Sequence, residues 1–73
     1  MPITEVKSDI SGLIWKIEVN VGDKVAEEDT LFLVESMKME IPLMAPADGV
    51  VKEIKVREGD TINEGDVVAL LEE

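Results

Sequence analysis

A chain of 73 residues holds one domain, and a domain this small buries a modest core that leaves no room for an elaborate enclosed active site. Cysteine and histidine are both absent, which excludes disulfide staples, thiolate zinc or iron–sulfur sites and any Ser-His or Cys-His nucleophile pair. Seventeen acidic against seven basic side chains give a formal net charge of −10, a field that repels nucleic-acid phosphates and anionic membranes.

The first segment, Met1-Pro2-Ile3-Thr4-Glu5-Val6-Lys7, has no basic stretch running into an apolar one, and no apolar run is long enough to span a bilayer. A cytoplasmic protein acting as a monomer is expected. With 45% hydrophobic residues gathered in short β-branched runs, the chain folds rather than staying disordered. The first strand is predicted over residues 3–7. The second covers 12–19, where Leu13, Trp15, Ile17 and Val19 alternate with mostly polar residues and so face a core, Trp15 included. A short strand over 24–26 precedes 30–36, whose continuous apolar run Leu31-Phe32-Leu33-Val34 reads as strand because it is brief and flanked by turn residues. Strands over 39–44, 49–56, 61–62 and 67–72 complete the set, and no long helical pattern occurs. Turns are predicted at Gly22-Asp23, Gly59-Asp60 and Gly65-Asp66, where glycine adopts positive φ without a Cβ clash. Eight short strands indicate an all-β sandwich or flattened barrel.

An internal repeat organises these elements. Shifting the sequence by 37 positions lays Gly12 on Gly49, Ile17 on Ile54, Val19 on Val56, Gly22-Asp23 on Gly59-Asp60, Asp29 on Asp66 and Leu33 on Leu70. Two halves, about residues 1–36 and 38–73, therefore contribute four strands each to one shared core with quasi-two-fold symmetry, within a single domain spanning 1–73. Two mismatches carry structural expectations. Glu28 falls where Gly65 stands in the second half, so the first-half turn should differ from the second. Trp15 falls on Lys52, a pairing that a barrel-edge position would accommodate.

Lys38 lies at the junction of the halves, in Glu35-Ser36-Met37-Lys38-Met39. A tight hairpin there would ordinarily recruit Asn-Gly, Asp-Gly or Gly-Gly, because the favoured turns need positive φ. Two flexible thioethers at a solvent-exposed tip break that local rule, as residues chosen for function tend to do. The carboxylate groups Glu27-Glu28-Asp29 and Asn63-Glu64-Gly65-Asp66 lack calcium-loop spacing and read as solvated turns.

These residues resemble the biotinyl and lipoyl attachment domains. The matching features are Glu35-Ser36-Met37-Lys38-Met39, the paired Gly-Asp turns, and Ala45-Pro46-Ala47-Asp48-Gly49-Val50-Val51, which is similar to the stretch opening that family's second half. The resemblance covers nearly the whole chain. It implies a flattened barrel of two four-stranded antiparallel sheets, with the modified lysine, Lys38, on a tight hairpin remote from both termini. It also implies that the chain is a substrate of biotin protein ligase and not a catalyst, with Glu35, Ser36, Met37 and Met39 as the residues the ligase reads around Lys38. Biotin is the implied cofactor, since biotin-bearing members place the lysine between two methionines. Lipoate, attached by a lipoate ligase, alone or as a dual modification with biotin, is the alternative; lipoyl domains usually have Asp before the lysine and Ala or Val after it. Ser36 and the Ser8-Asp9-Ile10 stretch depart from the commoner biotinyl pattern, and no protruding thumb segment is present. The resemblance further implies biotin carboxylase and carboxyltransferase partners on separate polypeptides, served by an arm that raises local concentration at each site. Two other classes stand beside these: a phosphopantetheine carrier on Ser36 would be helical, which the strand periodicity opposes, and an unmodified binding or scaffold protein that keeps the fold would suit the acidic surface.

Overall fold

The computed structural model describes residues 2–73; Met1, at which the predicted first half begins, lies outside them. Eight strands run in order: β1 (Ile3–Lys7), β2 (Gly12–Ile17), β3 (Lys24–Val25), β4 (Thr30–Ser36), β5 (Met39–Met44), β6 (Gly49–Ile54), β7 (Thr61–Ile62) and β8 (Val67–Glu72). They form two antiparallel sheets, β1-β8-β6-β3 and β5-β4-β2-β7. Exchanging β1 with β5, β2 with β6, β3 with β7 and β4 with β8 converts one sheet order into the other. Each sheet thus takes two strands from each half, and neither half closes without the other.

The core obeys the same exchange. Val6, Ser8, Ile14, Val25, Leu31, Phe32 and Val34 are buried, and 37 positions on, Leu43, Ala45, Val51, Ile62, Val68, Ala69 and Leu71 are buried too. Among the described residues Ser8 is the only polar member; its hydroxyl donates to the Ile10 carbonyl and accepts from the Ile10 N–H, so its burial leaves no side-chain polar atom unpaired. The Gly-Asp turns lock the halves together. Gly22 (φ 98°) donates its N–H to the Val51 carbonyl at 2.7 Å, and Gly59 (φ 97°) donates to the Ile14 carbonyl at 2.6 Å. Each turn therefore seals the equivalent strand of the opposite sheet.

Three strands end earlier than the sequence predicts. β2 stops at Ile17 rather than residue 19, and β6 at Ile54 rather than 56, although Glu18 and Lys55 still donate single backbone bonds to Leu31 and Val68. Beyond them the chain is drawn into the Asp-capped turns: Asn20 N–H bonds Asp23 Oδ2 and Arg57 N–H bonds Asp60 Oδ2, both at 2.9 Å. β3 ends at Val25, because the Ala26 N–H is taken by Asp29 Oδ2 at 2.9 Å.

Two further expectations are corrected. The register of β2 against β4 shifts between Ile14 and Lys16, a bulge at Trp15, and β6 has the matching shift at Lys52. The extra residue resets the alternation, so Ile14 is buried while Leu13 and Trp15 face solvent, Trp15 at 45% exposure. Trp15 is not a core residue, and β2 is an inner strand between β4 and β7 rather than a barrel edge. The turn at Glu28, expected to differ from that at Gly65, is instead its copy. Glu28 adopts φ 74° and donates to the Ala45 carbonyl at 2.9 Å, as Gly65 (φ 91°) donates to Ser8 at 2.7 Å. Asp29 accepts from Ala26 just as Asp66 accepts from Asn63, so the shared aspartate cap holds a non-glycine residue in the left-handed region.

Candidate functional site

β4 and β5 form the hairpin that the repeat junction predicts. Their register pairs Phe32 with Leu43, Val34 with Ile41, Glu35 with Glu40 and Ser36 with Met39, which leaves Met37 and Lys38 as a two-residue loop. Both loop residues have positive φ, 52° at Met37 and 66° at Lys38. Two such residues in succession match the right-handed twist of the flanking strands, the reason short hairpins normally recruit Asn-Gly. A side chain in that region costs about 1–2 kcal/mol per residue. The strands supply the constraint: Phe32, Val34 and Leu43 are buried, so the register cannot slip without exposing them.

The side chains at the tip are free. Lys38 is exposed, and among the described residues it forms no ion pair within 4.0 Å, whereas Lys7, Lys16, Lys52 and Lys55 each have a carboxylate partner. Met37 is 93% exposed and Met39 64%, on either side of it. The primary amine of Lys38 is therefore presented to solvent on a narrow two-residue loop with two soft apolar groups beside it.

All five residues singled out in the sequence, Glu35, Ser36, Met37, Lys38 and Met39, lie in this one hairpin. Ser36 is half-buried and cross-strand from Met39, while Glu35 is exposed. Two contributors escaped the sequence reading. Glu40 stands directly opposite Glu35, a like-charge pair that weakens the ladder one step from the tip. A two-residue loop centred on 37–38 fixes that pairing, so the hairpin register was the signal. Gly12 is the second: a Cβ there would meet the Glu35 carbonyl oxygen at 2.5 Å and Val34 Cγ1 at 2.8 Å, so only glycine lets β2 close on β4 below the hairpin. The equivalent Gly49 meets the Glu72 carbonyl oxygen at 2.9 Å. In the other acidic clusters the aspartates serve the turns, Asp29 and Asp66 as caps, and Asp48 Oδ1 accepts from the Glu27 N–H at 2.8 Å.

The family model described as "Biotin-requiring enzyme" (biotin/lipoyl) matches residues 1–71. The Biotin/lipoyl attachment protein of Bacillus subtilis is 46% identical over 63 residues, 86% of this chain and 86% of that one. The Biotinylated protein TB7.3 homolog of Mycobacterium leprae is 39% identical over 92% of this chain and 94% of its own length. Pyruvate carboxylase of Staphylococcus aureus is 36% identical over 94% of this chain, which spans 6% of that enzyme. Among solved structures, urea carboxylase of Kluyveromyces lactis superposes with a TM-score of 0.90 at 32% identity, over 97% of this chain and 6% of that one. Attachment domains of this kind are carriers and not catalysts. On the combined strength of the repeat, the interleaved sheets and these matches, the chain belongs to the biotin/lipoyl attachment family.

Proposed function

We propose that this protein is a biotin carrier whose Lys38 holds the cofactor through an amide and moves carboxyl groups between a biotin carboxylase and a carboxyltransferase. The observation that carries the reading is Lys38 itself: an exposed amine, without an ion pair among the described residues, on a two-residue turn between Met37 and Met39, in a chain of this family. The names of several relatives support it, among them a biotin carboxyl carrier protein of Streptococcus mutans, 47% identical over 55 residues.

The hairpin suits the chemistry. Lys38 Nζ, once a biotin protein ligase has taken its proton, attacks the carbonyl of an acyl-adenylate; the new C–N bond forms as AMP leaves. The ammonium charge is lost from a chain whose formal net charge is already −10. Biotin, when attached, supplies a ureido nitrogen that accepts and releases a carboxyl group. The chain's own part is positional: the turn fixes where the arm starts, Met37, Met39, Glu35 and Ser36 give the ligase its recognition surface, and tethering raises the local concentration at each partner site. The partners act as separate polypeptides in the cytoplasm, and the carrier is a monomer.

Lipoate is the second reading, kept because the Bacillus subtilis relative is named for both groups. Intact-mass and peptide analysis of protein isolated from its native cells tests both. A biotinyl group on the Lys38 peptide, absent from a Lys38→Arg variant, is the expected result; a lipoyl group alone, or an unmodified Lys38, refutes the biotin reading.

A further inference from the structure

We infer that Met37 and Met39 form a reversible oxidation site that controls acylation of Lys38, an inference that rests on Lys38 being the attachment residue. The chain has no cysteine, so its thioethers are its most readily oxidised sulfur groups, and two of its four methionines flank Lys38. Their exposure, compared with that of Met44 at the far end of β5, is graded: 93% at Met37, 64% at Met39 and 48% at Met44. Met37 therefore meets a small oxidant in solution almost as a free amino acid would.

Exposure also decides the consequence. A buried methionine that becomes a sulfoxide disrupts its core, and oxidation then amounts to damage. Here, among the described residues, the buried set contains no methionine. The turn is held by strand register and by buried Val34, Phe32 and Leu43, none of which touches the chemistry of the thioether. Oxidation thus leaves the fold intact and changes only what surrounds Lys38, from two soft apolar groups to two polar, chiral ones. An enzyme surface shaped for the thioethers must strip water from a strong acceptor that it cannot pair.

The step balances with hydrogen peroxide as oxidant. The thioether sulfur takes one peroxide oxygen to become a sulfoxide, losing two electrons, and the other oxygen leaves as water. A methionine sulfoxide reductase reverses it with a dithiol, which becomes a disulfide as water is released.

The test treats the purified apo-protein with dilute hydrogen peroxide and follows each methionine by peptide mass. Lys38 acylation is then measured with biotin, ATP and a biotin protein ligase. Met37 is expected to convert first, then Met39, then Met44, with the melting temperature unchanged within about 2 °C. The acylation rate falls by about tenfold, the factor expected of one polar group left unpaired in a contact, and the reductase restores it. Compared with its own untreated rate, a Met37→Leu/Met39→Leu variant loses this sensitivity and Met44→Leu keeps it. An undiminished rate with Met37 and Met39 fully converted overturns the inference and leaves the carrier reading standing. So does a loss that accompanies unfolding or persists in the double variant. Untreated protein that takes no biotin at Lys38 overturns both.

Discussion

Replacing Lys38 by glycine is expected to stabilise the fold while abolishing attachment, and the comparison that isolates the effect is Lys38→Gly against Lys38→Ala. Neither variant can be acylated at this position, so both are read in the same chemical state. Lys38 is exposed and without an ion pair among the described residues, so Lys38→Ala should change stability by no more than about 0.5 kcal/mol. Alanine still carries a Cβ at φ 66°, where a side chain costs about 1–2 kcal/mol. Glycine removes that cost but gives back about 0.5–1 kcal/mol through the greater freedom of the unfolded chain. The net gain of glycine over alanine is about 0.5–1 kcal/mol, or roughly 3–6 °C in melting temperature for a domain of this size. Urea and thermal unfolding followed by circular dichroism measure it. Glu5, exposed in the regular part of β1, serves as the control, since there glycine should fall below alanine by about 0.5–1 kcal/mol. A Lys38→Gly protein no more stable than Lys38→Ala refutes the claim that the turn holds a strained residue for the sake of its amine.

Glu28→Gly should exceed Glu28→Ala by a similar margin of about 0.5–1 kcal/mol, because φ 74° makes this turn a copy of the one at Gly65; equal unfolding midpoints would contradict it. Gly12→Ala is expected to cost about 1–3 kcal/mol by driving a methyl group into the Glu35 carbonyl at 2.5 Å, with Gly49→Ala milder at 2.9 Å, and the order of their urea midpoints checks the geometry. Trp15→Lys copies what the second half does at Lys52, whose ammonium lies 3.7 Å from Glu72. Stability should change by less than about 1 kcal/mol, whereas loss of a core tryptophan would cost about 3–5 kcal/mol, so one unfolding curve decides where Trp15 points.

How much of this was legible in the sequence depends on whether the determining contact lies within a half or between the halves. The apolar pattern repeated at a 37-residue offset located the strands of both halves, because a repeated pattern records a repeated environment, and it located the hairpin, because Lys38 lies at the junction between the halves. Turn conformations at Gly22, Gly59 and Gly65 were legible for a local reason: a glycine beside an aspartate that caps its own turn. At Glu28 the missing glycine predicts a different turn, but the cap at Asp29 is the stronger determinant and is retained. The interleaving of the sheets could not be read, since β1 pairs with β8 and β2 with β7 across most of the chain, and no local pattern encodes such a partner.

Trp15 shows where periodicity itself gives out. Alternation assigns faces only while the register holds, and a bulge shifts every later residue to the other face. The bulge leaves no composition signal of its own in Ile14-Trp15-Lys16, but the repeat contained one: a residue whose counterpart is Lys52 must occupy a position that tolerates a charge. An inward tryptophan fails that requirement and an outward one meets it. Symmetry in such a chain is therefore a check on hydropathy, because a position and its counterpart share one environment and a charged counterpart excludes a buried one. By that criterion Trp15 against Lys52 marks exposed surface. Met37-Lys38, at the junction of the halves and held at positive φ without glycine, marks a place where the fold accepts strain that its own stability does not require.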